Sequence, residues 1–221
     1  MALIHEFEKE PIEFLKKFIV VVPMQEQEAE APTAPKAFCM TRTHAESNVV
    51  KLGFRIGAKA DDPNSVQAYW LPWHNGKAVT LTLGSTAKLM FTTELTNCRF
   101  SVLTKSMATP LVAHVAGTSG SSATRDGWEK KAGLPERKSE DNKHMRRFSK
   151  SFKPGEIADH AYRGQADLFE DSTSAFVFGQ LVDGAWRFHA QIVEGKMTGE
   201  AIDKGAFPKQ VTQRGGLYQI A

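Results

Sequence analysis

The sequence predicts a single α/β (α+β) domain in which two packed, mixed β-sheets are flanked by helices and loops. Segments with apolar residues at every second position lie on both sides of a charged middle stretch, and period two marks a half-buried strand. A short stretch of helical period stands near the start. The 221 residues are too few for two full-sized domains and ample for one with a large core.

Pro11 suits the first position of a helix, and Ile12, Leu15, Phe18 and Ile19 fall at helical spacing while Glu13, Lys16 and Lys17 face away. Residues 11–22 therefore read as a short packed helix running into a strand. Residues 25–35 hold three Glu and two Pro with no large apolar side chain, which predicts a mobile linker. The resulting division is an N-terminal arm (1–24) packed on the domain, a linker (25–35) and a main body (36–221).

In the main body Val50, Leu52, Phe54 and Ile56 alternate with Lys51, Gly53, Arg55 and Gly57 as a strand, and residues 60–64 turn the chain. A second strand over 66–73 meets Asn75-Gly76, a strong hairpin signal, so it is expected to pair with the strand around Val79, Leu81 and Leu83. Residues 89–95, 98–103 and 111–115 supply further strands. Near the C-terminus Ala175 to Phe178 is a continuous apolar run suited to a central strand, and Trp186, Phe188, Ala190 and Ile192 alternate with Arg187, His189 and Gln191. Residues 157–169 have a helical pattern, with Ile157, Ala161 and Leu168 on one side.

Hydrophobic residues at 41% and charged residues at 24% exclude collagen-like, coiled-coil and wholly disordered chains. A net charge of +3 is too small for a dedicated nucleic-acid binder. The basic character is local: residues 125–153 hold ten Lys/Arg against five Asp/Glu. Such a run reads as a solvated loop or exposed helix, or as a docking surface for an acidic partner. The apolar run Phe18 to Val22 is halted by Pro23 and is too short for a bilayer span or a signal-peptide core, so no classical export signal and no membrane partner are expected.

Gly117-Thr118-Ser119-Gly120 lacks the Gly-Lys-Ser/Thr of a phosphate loop, and the seven His never fall at a metal-ligand spacing. No cofactor and no metal are expected. Two cysteines make no disulfide framework, which leaves thiol chemistry. Cys98 opens a strand after Leu95-Thr96-Asn97, where Asn97 suits a left-handed backbone and a sharp turn. Such a turn exposes a nucleophile and frees backbone N–H groups for an oxyanion. His114 lies on the polar-facing side of residues 111–115. If residues 104–110 form a connecting loop, Cys98 and His114 meet side by side, and the imidazole could take the thiol proton and hold a thiolate. A lone Cys also reads as a small buried hydrophobe and a strand His as a structural residue, so spacing alone leaves both open. Cys39 reads as a structural thiol.

Trp70-Leu71-Pro72-Trp73, the Gly84-Ser85 turn, Leu89-Met90-Phe91-Thr92, Leu95-Thr96-Asn97-Cys98 and His114 together resemble the Burkholderia lethal factor 1-like glutamine deamidase toxins, which are related to the cytotoxic necrotizing factor catalytic domain. The resemblance covers about residues 49–118. The family pattern Leu-x-Gly-Cys carries Asn97 in place of its Gly, which Asn tolerates at positive φ better than other side chains. The resemblance implies Cys98 as nucleophile, His114 as general base and acid, and Thr92 as a supporting hydroxyl. Thr93, its neighbour, would point to the opposite face of a strand. Trp70 and Trp73 read as core packing. Also implied are a bacterial protein acting as a monomer in the host cytoplasm on a host protein, the DEAD-box translation-initiation helicase, with no nucleic acid bound directly. The alternatives are deamidation or transglutamination of Rho-family GTPases, proteolysis by the same pair, and a non-enzymatic β-rich module binding through residues 125–153.

Overall fold

The computed structural model describes residues 2–22, 31–43, 45, 48–58, 62–95, 98–117, 122–149, 173–194 and 213–221. Four layers stack in the order helices, large sheet, small sheet, helix. The large sheet has eight strands: β1 (Ile19–Val21), β2 (Lys36–Arg42), β3 (Val49–Phe54), β4 (Val66–Leu71), β6 (Leu89–Thr92), β10 (Thr173–Val182), β11 (Ala185–Glu194) and β12 (Gln213–Gln219). Their spatial order is β1-β3-β2-β4-β6-β10-β11-β12. The sheet is mixed, since β1 runs parallel to β3 and β4 parallel to β6. The small sheet, in the order β5-β8-β7-β9, contains β5 (Ala78–Thr82), β7 (Arg99–Leu103), β8 (Leu111–Val115) and β9 (Met145–Ser149). Two packed sheets flanked by helices are what the sequence predicts; the small sheet is antiparallel in every pairing where a mixed one was expected.

Alternation along the strands decides which layer each side chain enters. In β4 and β10, Tyr69, Leu71, Ala175 and Val177 point toward the small sheet, where they meet Val79, Leu81, Phe100, Val102, Val112 and Phe148. Val66, Ala68, Trp70, Phe176 and Phe178 point the other way. There they are covered by α1 (Leu3–Lys9) and α2 (Pro11–Lys17) through Ile4, Phe7, Phe14 and Leu15. Burying both faces of the central strands explains their continuous apolar runs. Trp70, 1% exposed, packs between Phe38 and Phe54 in this outer layer, and half-buried Trp73 lies against the inter-sheet core. Gln191 ties the N-terminal segment down: its Oε1 accepts from Val20 N at 3.0 Å, and its Nε2 donates to Leu15 O at 3.0 Å and Phe18 O at 2.8 Å.

Two expectations are corrected here. The turn at Asn75-Gly76 forms, with Gly76 at φ +73, but it joins no hairpin. β4 belongs to the large sheet and β5 to the small one, where β5 pairs with β8. Pro72, which has no N–H for a ladder, follows β4 directly, and the chain crosses between layers there. The basic stretch, read as a solvated loop or an exposed helix, holds a helix together with further regular structure. It contains α3 (Ser122–Lys131), a 3₁₀ turn (Glu140–His144) and β9. Arg147 of β9 is buried beneath α3, its Nε 2.7 Å from Glu129 Oε2. Arg99 approaches the other oxygen of Glu129 at 3.3 Å and also bonds Asp126. Burial would raise the Asp126 pKa, but its bonds from Arg99 and Arg137 outweigh that and hold it below the usual carboxylate value. The expected helix at 157–169, residues 25–30 of the linker and Asn97 lie outside the described residues. Residues 31–35 carry no helix or strand.

Candidate active site

The site is assembled at one end of the two facing sheets. Thr92 ends β6 on the same face as Met90, toward the small sheet. Opposite it, β7 and β8 form the hairpin expected from sequence, in the register Phe100↔His114 and Arg99↔Val115. Paired residues of an antiparallel ladder share a face, and so do residues two apart. Cys98, two positions before Phe100, and His114, opposite Phe100, therefore stand diagonally on the inter-sheet face, within reach of neighbouring side chains. Cys98 is 7% exposed and packs in the inter-sheet core with Phe100 and Val102. The chain on either side is held: Leu95 and Ala175 exchange two backbone hydrogen bonds of 2.9 Å, and Ser149 Oγ donates to the Cys98 carbonyl at 3.3 Å.

His114 is fully buried, and not on a polar face as its alternating segment suggested, because the large sheet covers the side of β8 on which it lies. Its Nδ1 is 2.7 Å from Thr92 Oγ1 and 3.2 Å from Thr93 Oγ1. The expectation that only one of these threonines can reach the site is therefore wrong. Strand β6 ends at Thr92, so the two-residue alternation no longer governs Thr93. Thr92 Oγ1 also donates to the Leu71 carbonyl at 2.7 Å. A carbonyl oxygen has no proton to give, so the single hydroxyl proton of Thr92 goes there and its oxygen must accept from His114 Nδ1–H.

Burial pushes the His114 pKa down to about 3, so the ring is neutral at physiological pH. With the proton on Nδ1, Nε2 carries a lone pair. That atom is buried and has no hydrogen-bond partner among the described residues. The resting site thus holds a neutral imidazole with its basic nitrogen unused. The ready-made imidazolium expected to keep a thiolate in place is disfavoured by the same burial. Such a histidine can accept a proton at the moment of attack and return it to a leaving group.

Cys39 has different surroundings. It lies in β2 opposite Gly53, half-buried, and burial raises its thiol pKa more than nearby Arg55 lowers it. Sequence reasoning missed the Leu71 carbonyl, although Trp70-Leu71-Pro72-Trp73 had been singled out. The parallel pairing Leu71↔Thr92 that brings it to the site leaves no trace in a linear pattern. Among the described residues, no cluster of His, Cys, Asp or Glu could hold a metal, and no helix is long and apolar enough to cross a membrane.

No protein-family model matches the chain, and no curated protein does. Among solved structures, the C-terminal domain of CNFy from Yersinia pseudotuberculosis superposes with a TM-score of 0.46 at 7% identity, over 98% of this chain and 96% of that one. At that distance the chemistry rests on the residues of the site themselves.

Proposed function

We propose that the chain is a protein glutamine deamidase toxin that converts a glutamine side chain of a host protein to glutamate through Cys98 and His114. The observation that carries this reading is the unused Nε2 lone pair of His114, held by Thr92 on the face that it shares with Cys98. In the first half-reaction Nε2 takes the thiol proton as Cys98 Sγ bonds to the carboxamide carbon. The oxyanion that forms is met by backbone N–H groups near Cys98. The C–N bond then breaks, Nε2 gives its proton to the departing nitrogen, and ammonia leaves a thioester. In the second half-reaction water adds to the thioester carbon as Nε2 takes its proton. The C–S bond breaks, the proton returns to sulfur, and glutamate is released. The target replaces an amide that donates and accepts hydrogen bonds with an acceptor-only carboxylate.

The motif Trp70 to Trp73 favours the lethal-factor branch, whose target is the DEAD-box translation-initiation helicase, over Rho-family GTPases. In this reading the chain is a bacterial protein working as a monomer in the host cytoplasm without a cofactor. The test is mass spectrometry of a host-cell lysate incubated with the protein and, separately, with Cys98→Ser. Conversion of Gln to Glu with ammonia release, confined to the wild-type sample, is expected. Peptide cleavage or amine incorporation in its place would assign the pair to a protease or a transglutaminase.

A further inference from the structure

Two adjacent hydroxyls meet one histidine nitrogen, and they are not equivalent. Thr92 spends its only proton on the Leu71 carbonyl, 2.7 Å away, so toward His114 it is an acceptor and nothing else. Thr93 Oγ1, at 3.2 Å from the same nitrogen, has no carbonyl of this kind fixing its proton among the described bonds, so it can donate to Nδ1 or accept from it. Both residues are buried, Thr92 completely and Thr93 to 6% exposure. Thr93 alone would favour a ring protonated at Nε2, the form that a free neutral histidine prefers and to whose bare Nδ1 a hydroxyl can donate, over one protonated at Nδ1. Only the latter leaves Nε2 basic.

We propose that the Leu71 carbonyl, acting through Thr92, selects the tautomer of His114, and that Thr93 is a positioning residue serving as a second acceptor for the imidazolium formed in each half-reaction. This rests on the deamidase reading for its consequence in turnover, although the selection of the tautomer does not depend on it. The parallel pairing of β4 with β6 sets the arrangement, because it places Leu71 beside Thr92. The two threonines accordingly have separable effects. Loss of the Thr92 hydroxyl frees the ring to take the Nε2–H form, in which Nε2 is no longer a base. Loss of the Thr93 hydroxyl leaves the tautomer alone and weakens only the charged intermediate.

The experiment is nitrogen-15 NMR of the full chain labelled at histidine, without substrate at neutral pH, with the His114 signals assigned by their loss in His114→Gln. Wild type, Thr93→Val and Thr92→Ser are expected to show an unprotonated Nε2, and Thr92→Val a protonated one. With the protein target, Thr93→Val is expected to lower kcat by about 2- to 10-fold at unchanged KM, the weight of one net hydrogen bond. Thr92→Val is expected to lower it on the order of 100-fold or more, as wrong-tautomer variants do, and Thr92→Ser to retain most of it. A protonated Nε2 in wild type, a tautomer change in Thr93→Val, or an unchanged one in folded Thr92→Val overturns the proposal. Should Thr92→Val fail to fold, the wild-type, Thr93→Val and Thr92→Ser spectra decide it. If no target releases ammonia, the deamidase reading falls while the NMR result still stands for or against the tautomer selection.

Discussion

At the level of single residues, the site places unequal demands on the two cysteines. Cys98→Ser is expected to abolish ammonia release with the fold intact, because a serine hydroxyl gives up its proton to a neutral imidazole far less readily than a thiol. Cys39→Ser, with its thiol held protonated by burial on the far strand β2, should leave turnover near normal. Retained activity in Cys98→Ser on a verified target, or lost activity in Cys39→Ser, would reverse the assignment. His114 also has a consequence for stability. Its pKa is about 3 in the folded protein against 6.5 for the ordinary group, so between these values the unfolded chain binds a proton that the folded one refuses. Stability therefore falls as pH drops below 6.5, by about 2 kcal/mol near pH 5. Half-buried His189, also shifted down by burial, acts in the same window, so the comparison must be between variants. Urea unfolding at pH 7 and pH 5 should show a smaller loss in His114→Gln than in wild type, and equal losses would refute the burial argument.

Among the secondary-structure elements, α3 is fastened to the small sheet mainly through charge. Glu129, 1% exposed, accepts from Arg147 and Ser101 and faces Arg99. Glu129→Gln leaves two buried guanidinium groups without their shared carboxylate and should cost about 3–5 kcal/mol in urea unfolding, whereas a loss below about 0.5 kcal/mol would mean that the network is solvated. This element also shows what a linear pattern conceals. Strand β10 was legible from the continuous apolar run of Ala175 to Phe178, β11 from its alternation, and the β7–β8 hairpin because its loop is local. Strand β9 was not: Met145-Arg146-Arg147-Phe148 reads as part of a charged stretch until Glu129, 18 residues earlier, neutralises Arg147. Strand β2 was missed because Phe38 and Met40 are its only fully buried side chains, and α1 because seven residues make too few turns to show a period. Asn75-Gly76 was read correctly as a turn and incorrectly as a hairpin, since turn chemistry fixes local φ and not the sheet that a strand joins. At the site, the pairing of the strands that carry Cys98 and His114 was legible from the short loop between them, while the roles of the two residues come from the resemblance alone. The joint reach of Thr92 and Thr93 depends on where β6 ends, which the sequence does not mark.

For the whole molecule, the proposed pair sits at the end of two facing sheets with His114 fully enclosed, so on the deamidase proposal recognition is expected to come from the surface of a protein target more than from the glutamine itself. The basic stretch is the natural place to look, because β9 lies beside β7 and Ser149 bonds the Cys98 carbonyl. Arg147 takes no part in docking, being buried against Glu129, so the relevant charges are Lys130, Lys131 and Arg146, of which the first two are exposed. Reversing these three to Glu, with Arg147 kept, should slow turnover of the protein target at low salt and matter little at high salt, where screening removes steering. Unchanged turnover at low salt would return the stretch to a purely structural role. The target itself is tested in a eukaryotic cell-free translation extract. The wild-type chain should lower protein synthesis, Cys98→Ser should not, and the triple reversal should act more slowly than wild type. Deamidation of a Rho GTPase with translation unaffected would move the chain to the other target class and leave the proposed Cys98–His114 chemistry unchanged, because none of the three reversed residues belongs to it.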